Sequence, residues 1–459
     1  MTRFNKQPKK PALPSITIFS PDNTYTYGAM LIAGVLENAG FKVNLTRNYS
    51  IDGIGNSDIV GFSLSSTLHL VGKTAELINS LKSQKNPFIV VGGSISMVPE
   101  LVFSCLPNID AIVIGEGEET IRELVEAVRL KKNLESIAGI AFKQDEDIIK
   151  TEQRPLYKLE NSPIPKIPSD IGVQEVRGIN IYFETHRGCL GNCSFCLIPK
   201  FFGQQNIRSK TIPQIKREIR AFILKGAVKV AIGSGNITLY GSKNHIINEK
   251  KVEQMLSTVS SVVSPLNFAA PDLRVDMIPD RVLAAIRKYT SGLIIFGMES
   301  GNDTILKFMK KEINVQKILD AIEKCEKFGL AVAGAFITGY PGETEEYFQE
   351  TKEFIEANSL NDYIIRIPEP IPGTELAKTI LKLPENKNPV FMKDETQLGR
   401  KYEFTVAERR CFELFLSSST SRKIPFFLSD QLMREFVKLA KRQGEKIQQI
   451  TRILKQHLS

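Results

Sequence analysis

Short apolar runs punctuate the first 130 residues at 16–19, 42–45, 59–63, 88–92 and 111–115, four of them closed by glycine or serine. Runs of this length with such flanks predict buried strands. Between them, apolar positions three and four apart predict helices over 28–39, 68–83 and 118–130. Strand–helix alternation at this spacing implies an α/β domain over 15–130, built as a doubly wound parallel sheet. Its ligand crevice is expected at the carboxyl ends of the strands.

Residues 131–178 break the rhythm. GIAFKQDEDIIKTEQRP predicts a small hairpin, and the proline-rich LENSPIPKIPSDIG predicts an extended linker. From 179 to 380 the alternation returns, with strands over 179–184, 229–233, 267–270, 293–297, 331–338 and 363–367. Six strand–helix units imply a partial (β/α)6 barrel. The region 381–459 opens with LPENKNPV and ends in a basic helical stretch with Leu432, Phe436, Val437 and Leu439 on one side. It reads as a helical tail that either packs on the barrel or meets RNA or another partner.

At 459 residues, 42% hydrophobic and 24% charged, the chain has the composition of a multi-domain soluble enzyme. No apolar run reaches about 18 residues, so no membrane span is expected. The basic start, MTRFNKQPKKPALP, lacks an apolar segment and reads as a loose tail, not a secretory signal. Six cysteines over this length do not make a disulfide framework. Cys105, Cys325 and Cys411 read as plain buried thiols, which implies a reducing compartment and a cytoplasmic protein. The net charge of +9 suits an acidic partner or RNA, or simply a solvated basic surface.

Cys189, Cys193 and Cys196 change the picture. THRGCLGNCSFCLIP places three thiols at C-x3-C-x2-C directly after the first strand of the second block. Structural zinc would need a fourth ligand, such as His186. A nucleophilic cysteine needs one thiol and a base. A cubane iron–sulfur cluster held by three thiolates would keep one iron open. Gly188 and Gly191 allow the loop to wrap closely, and Phe195 adds an aromatic face beside the open iron.

This spacing, with an aromatic residue before the last cysteine, resembles the radical S-adenosylmethionine (radical SAM) superfamily. The resemblance implies a [4Fe–4S] cluster on Cys189, Cys193 and Cys196, with SAM chelated at its open iron. Cleavage of SAM by one electron would give a 5′-deoxyadenosyl radical that abstracts hydrogen from an unactivated C–H bond. Further stretches match in order. IAIGSGNITLYGS offers Ser234 and Gly235 to the methionine amino group, although it departs from the usual Gly-Gly-Glu form. APDLRVD offers Arg274 and Asp276. FGMESGNDTILKFMKK offers Glu299 and Ser300 for ribose or carboxylate, AFITGYPGETEEYF sets Ile337 against adenine, and IRIPEPIPGTELAK matches the end of strand six. PGETEE also reads as a turn with Thr344 capping a helix.

The first block, through GFSLSS, VVGGSISMVPE and VIGEGEETIRELVEA, resembles the cobalamin-binding domain joined to such enzymes. The matching positions are Ser63, Ser65, Gly92, Gly93, Ser94, Gly115, Glu116 and Gly117. The D-x-H-x-x-G signature is missing, so a bound cobalt would lack an axial histidine from it; His69 reads as a core or surface residue. The two resemblances together imply methyl transfer to carbon. Archaeal relatives of this layout methylate side chains of methyl-coenzyme M reductase, which suggests a protein or peptide substrate such as a glutamine or arginine. An electron donor such as ferredoxin or flavodoxin is implied. Methylthiolation of tRNA or a ribosomal protein is the alternative, against which stand the lone Cys105 in residues 1–188 and the helical tail. A non-enzymatic iron–sulfur scaffold is the third reading.

Overall fold

The computed structural model describes residues 12–458, so most of the basic start lies outside the described residues. The chain divides into two compact units, with the boundary between Ser169 and Asp170.

The first unit contains β1 (Ser15–Phe19), α1 (Tyr27–Asn38), β2 (Lys42–Thr46), β3 (Ile59–Ser63), α2 (Lys73–Gln84), β4 (Phe88–Gly92), α3 (Pro99–Cys105), β5 (Ala111–Val113), α4 (Glu118–Leu130), β6 (Ile140–Gln144) and β7 (Asp147–Lys150). Its seven-stranded sheet has the order β2-β1-β3-β4-β5-β6-β7. β1 to β5 are parallel; β6 and β7 add to the edge antiparallel. Ile59, Val60 and Phe62 on β3 are all buried, as expected of a strand covered on both faces.

Four details differ from the expectation. The hairpin is part of the first sheet, because Ile140 and Ala141 bury themselves against β5. The helix expected over 68–83 splits at Gly72 (φ +61°) into a 3-10 turn, Thr67–Leu70, and α2. α3, seven residues opening on Pro99, is too short to show periodicity. Part of the expected linker is packed: Lys166 donates its amide to Met30, and a Cβ on Gly34 would strike the backbone of Ile164 and Pro165.

The second unit begins with β8 (Ile181–Phe183), β9 (His186–Arg187), α5 (Ile198–Phe202), β10 (Arg208–Ser209), α6 (Ile212–Leu224), β11 (Val230–Ile232), α7 (Glu249–Ser260), β12 (Phe268–Ala269), β13 (Asp272–Leu273) and α8 (Asp280–Tyr289). It continues with β14 (Leu293–Glu299), α9 (Asp303–Phe308), α10 (Val315–Lys327), β15 (Ala331–Ile337), α11 (Glu345–Ala357) and β16 (Asp362–Arg366). The strands run parallel as β8-β11-β12 and β13-β14-β15-β16. The expected third strand is thus interrupted at Ala270–Pro271, where proline has no N–H for the ladder. This is the expected partial barrel of six strand positions.

The tail is helical, with α12 (Glu375–Lys382), α13 (Gln397–Tyr402), α14 (Val406–Ser421) and α15 (Asp430–Leu458). α15 covers the outer strand β16. The Gln443 side-chain amide donates to the Ile365 carbonyl (3.2 Å) and accepts from the Ile367 N–H (3.1 Å), taking the place of a neighbouring strand. Gly444 lets α15 approach α14, since a Cβ there would collide with Glu408. The buried stripe of α15 is Phe436, Ala440, Gly444, Ile447, Thr451 and Leu454. Leu439, expected on that side, is 43% exposed, because the helical repeat running from Phe436 through Ala440 turns it outward.

Candidate functional site

The cysteine loop leaves β8 and is pinned on both flanks. β9 and β10 pair antiparallel, and a Cβ on Gly188 (φ +102°) would collide with the Asn206 carbonyl. On the other flank Ser194 donates its amide to the Met309 carbonyl (3.0 Å) and accepts at its own carbonyl from the Leu376 N–H (2.9 Å). Its hydroxyl bonds the Tyr340 hydroxyl at 2.7 Å in a buried position. All three cysteines are half-buried.

Gly191 sits among the sulfurs. A Cβ there would stand 3.7 Å from Cys189 Sγ, 3.8 Å from Cys193 Sγ and 2.8 Å from Arg274 Nη1, so a side chain would fill the cradle. Its N–H reaches Cys189 Sγ at 3.4 Å. Burial pushes the Cys196 thiol up to about 11. It also raises Cys193, against the pull of Lys311 and Arg274. Among the described residues no three His, Cys, Asp or Glu side chains converge tightly enough for a single metal ion. His186 is committed elsewhere: Nδ1 lies 3.0 Å from Thr185 Oγ1, and Nε2 donates to the Asn236 carbonyl at 3.1 Å. The donor set therefore fits a larger, three-thiolate cluster better than tetrahedral zinc.

Charged side chains from the ends of β13 and β14 and from the segment after α9 surround the loop. Arg274 forms a two-bond pair with Asp276 (2.9 Å each) and donates to the Lys311 carbonyl (3.2 Å). Glu299 adopts φ +65° at a bulge in β14 and pairs with Lys311 Nζ at 2.7 Å. Both are less than one-tenth exposed. Gly297 makes room for them, since a Cβ there would stand 2.5 Å from Glu299 Oε1 and 2.8 Å from Lys311 Nζ. The Lys311 ammonium lies 5.9 Å from the centre of the Phe195 ring. Burial pulls the Lys311 pKa down, but Glu299 and Cys193 beside it more than offset this, so the net direction is up. Lys311 was not legible beforehand, because in MKKEIN it resembles any surface lysine after a helix.

Phe195 and Ile337 meet on one apolar cluster of Ile305, Met309, Tyr340, Leu376 and Ile380. Ser234 ties the ends of β11 and β8 together, its Oγ accepting from the Thr185 (2.7 Å) and His186 (3.2 Å) amides. Gly235 (φ +72°) is exposed, with open space where a Cβ would stand. Ser300 is fully buried, and its hydroxyl is engaged by Thr351 (2.9 Å) and the Asn302 N–H (3.1 Å). Thr344 does cap α11, accepting from the Tyr347 N–H.

In the first unit the expected residues gather at the carboxyl ends of β3, β4 and β5. Gly93 (φ +97°) lies against the Leu64 backbone, where a Cβ would collide. Ser94 Oγ donates to the Ser65 carbonyl at 3.3 Å. Gly115 (φ +74°) faces open space, and Gly117 starts α4. Ser63 and Gly92 are half-buried and paired in register at the strand ends. Glu116 turns away to accept the Tyr157 N–H at 2.7 Å. His69 accepts the Ser65 and Ser66 amides at Nδ1 and meets Asp22 through Nε2 at 3.0 Å, so neither ring nitrogen is directed to a ligand. This crevice of backbone and small side chains fits a large cofactor that takes no axial histidine from it.

A three-thiol loop on a partial barrel, in a chain that also carries an open parallel sheet, defines a class. Residues 183–355 match the Radical SAM superfamily and residues 16–125 the B12 binding domain. The chain belongs to the radical SAM superfamily, among enzymes that join a B12-binding domain to the barrel and use a [4Fe–4S] cluster, SAM and cobalamin. It is 41% identical over 442 residues to a Methanocaldococcus jannaschii protein provisionally named a methylthiotransferase, covering 96% of this chain and 95% of the relative. It is 30% identical over 329 residues to an uncharacterized methyltransferase of Pyrococcus horikoshii, covering 70% and 68%. Among solved structures it is similar to the radical SAM methyltransferase TsrM of Kitasatospora setae, with cobalamin and a [4Fe–4S] cluster bound (TM-score 0.68, 13% identity, 96% and 99% coverage). It is also similar to the cobalamin-dependent radical SAM enzyme OxsB (TM-score 0.65, 17% identity, 94% and 62% coverage). Among the described residues no helix is long and apolar enough to cross a membrane.

Proposed function

We propose that this protein is a C-methyltransferase acting on an unactivated carbon, with a protein or peptide side chain as substrate. The observation that carries this reading is the presence in one chain of a B12-type strand-end crevice and a three-thiol loop cradled by Gly191. When bound, the cofactors supply an electron, a 5′-deoxyadenosyl radical from SAM and a transferable methyl group. Cys189, Cys193 and Cys196 hold the cluster. Phe195, Ser234, Gly235, Arg274, Glu299, Ser300 and Ile337 make up the SAM-binding surface. Within it, the buried Glu299–Lys311 pair offers one charge of each sign to a zwitterionic ligand. Ser300 contributes through the turn it holds rather than through a free hydroxyl. The loops carrying Ser63, Ser65, Gly92, Gly93, Ser94, Gly115, Glu116 and Gly117 receive cobalamin, with Glu116 bracing its loop through Tyr157. A ferredoxin or flavodoxin supplies the electron, and the chain works in the cytoplasm.

Methylthiolation is the second reading, favoured by the name of the M. jannaschii relative. The resemblance to methylthiotransferases asks for a second three-cysteine cluster, and residues 1–188 contain Cys105 alone. Burial pushes that thiol up to about 11. Helices α12 to α15 also occupy the region where such enzymes carry a small β-barrel. The deciding experiment is mass spectrometry of proteins and tRNA from cells with and without this gene. A gain of one CH2 on a peptide supports C-methylation; a gain that includes sulfur contradicts it.

A further inference from the structure

The barrel carries a carboxylate that the site above does not use. Across β13 and the residue that follows it, Leu273 is 4% exposed, while Asp272 and Arg274 on either side are half-buried. Asp272 and Arg274 therefore share the opposite face of the strand. Asp272 pairs in register with Ile295, which precedes Gly297 and Glu299 on the half-buried side of β14. Arg274 belongs to the cluster surroundings, so Asp272 lies one step further down the same strand. The next strands continue this face with Ala333, Ala335 and Ile364, which are small or apolar.

Among the described residues the Asp272 side chain forms no hydrogen bond and no ion pair. Burial pushes its carboxyl up to about 6, with Arg177 pulling the other way. Arg177 is exposed, in the turn that links Val176 to Ile179. Tyr182 of β8 is close enough to feel Asp272: its hydroxyl is raised by burial, lowered by Arg177 and raised again by Asp272. A partly desolvated carboxylate without a partner lowers stability unless something else compensates. Such groups mark sites where a ligand completes the pairing.

We propose that Asp272 forms a recognition subsite for a cationic nitrogen group of the substrate, an ammonium or a guanidinium. This deepens the C-methyltransferase reading and rests on the barrel interior as the substrate chamber. A cation there makes a charge-assisted hydrogen bond in apolar surroundings, while a neutral group of the same shape leaves the carboxylate uncompensated.

Butylguanidinium and butylurea match in shape and differ in charge. Their binding to the full chain, reconstituted without oxygen, is measured by calorimetry. Butylguanidinium is expected to bind about tenfold or more tightly than butylurea. Asp272→Asn, with its cluster absorbance and melting temperature checked, is expected to erase the preference. Equal binding of the two probes by the wild-type chain overturns the subsite, as does a preference that survives in Asp272→Asn. The wild-type comparison decides even if the variant fails to fold. Because neither probe needs turnover, a charge preference in a protein that methylates nothing would keep the subsite and remove the C-methyltransferase reading.

Discussion

At the strand ends of the first unit the chain presents mainly backbone: Gly93 at φ +97° pressed against Leu64, Gly115 at φ +74° facing open space, and the Ser94 hydroxyl bonded to the Ser65 carbonyl. At the strand ends of the second unit it presents functional side chains: three thiols, the Arg274–Asp276 pair and the buried Glu299–Lys311 pair. A crevice of backbone suits a large ligand held by shape and many weak contacts. A pocket of buried charge suits a small ionic ligand and a metal cluster, because low dielectric strengthens each interaction. The first kind should tolerate changes of side-chain chemistry but not an added Cβ; the second should respond to single functional groups.

The largest effect should come from the second unit. Cys193→Ala is expected to abolish cluster assembly and 5′-deoxyadenosine formation together, measured by iron content and chromatography. Retained SAM cleavage would mean that the thiols are misassigned.

Next, two glycines of the first unit should separate. Gly93→Ala meets both an unfavourable φ and the Leu64 backbone, and is expected to cost about 3 kcal/mol in chemical denaturation. Gly115→Ala has space but a positive φ, so about 1 kcal/mol is expected, with corrinoid retention weakened and the cluster unchanged. Equal costs would show that the close approach at Gly93 is not a constraint.

A pH effect sharpens the contrast from the second unit. Burial holds His186 at about 4, below its ordinary 6.5, although the Asn236 carbonyl and Glu184 pull it upward. The unfolded chain then binds a proton at this site between those values and the folded chain does not. Stability from His186 should be full above about 6.5 and fall as the pH drops to about 4, by about 3 kcal/mol. His186→Gln should flatten that part of the stability profile; an unchanged profile would remove the assignment.

The smallest effect is expected from Tyr340→Phe. Losing the hydroxyl pair with Ser194 should cost about 1 kcal/mol and loosen the cysteine loop, seen as faster cluster loss in air.

The sequence displayed whatever depends on local pattern. Ile59–Ser63, Phe88–Gly92 and Glu118–Leu130 appear at the expected positions because each is a compact apolar or amphipathic run. α3 and the break at Pro271 escaped notice, since a seven-residue helix shows no period and a two-residue strand no alternation. At the site, the cysteines and their glycines were legible because their spacing is rare. Lys311 was not, because its partner Glu299 is brought to it by a bulge and a left-handed residue that no periodicity displays. Ser300 and Glu116 were legible as positions but not as contacts, because each spends its side chain on a residue more than forty positions away.

The proposed chemistry depends on Cys189, Cys193 and Cys196 holding a cluster with one iron left free for SAM. Mössbauer spectroscopy of the oxygen-free, iron-57-labelled protein, with and without SAM, tests it most directly. About four irons per chain are expected, one of them distinct and shifted when SAM is added. Bound zinc without iron, or a cluster whose irons are all unchanged by SAM, would contradict it.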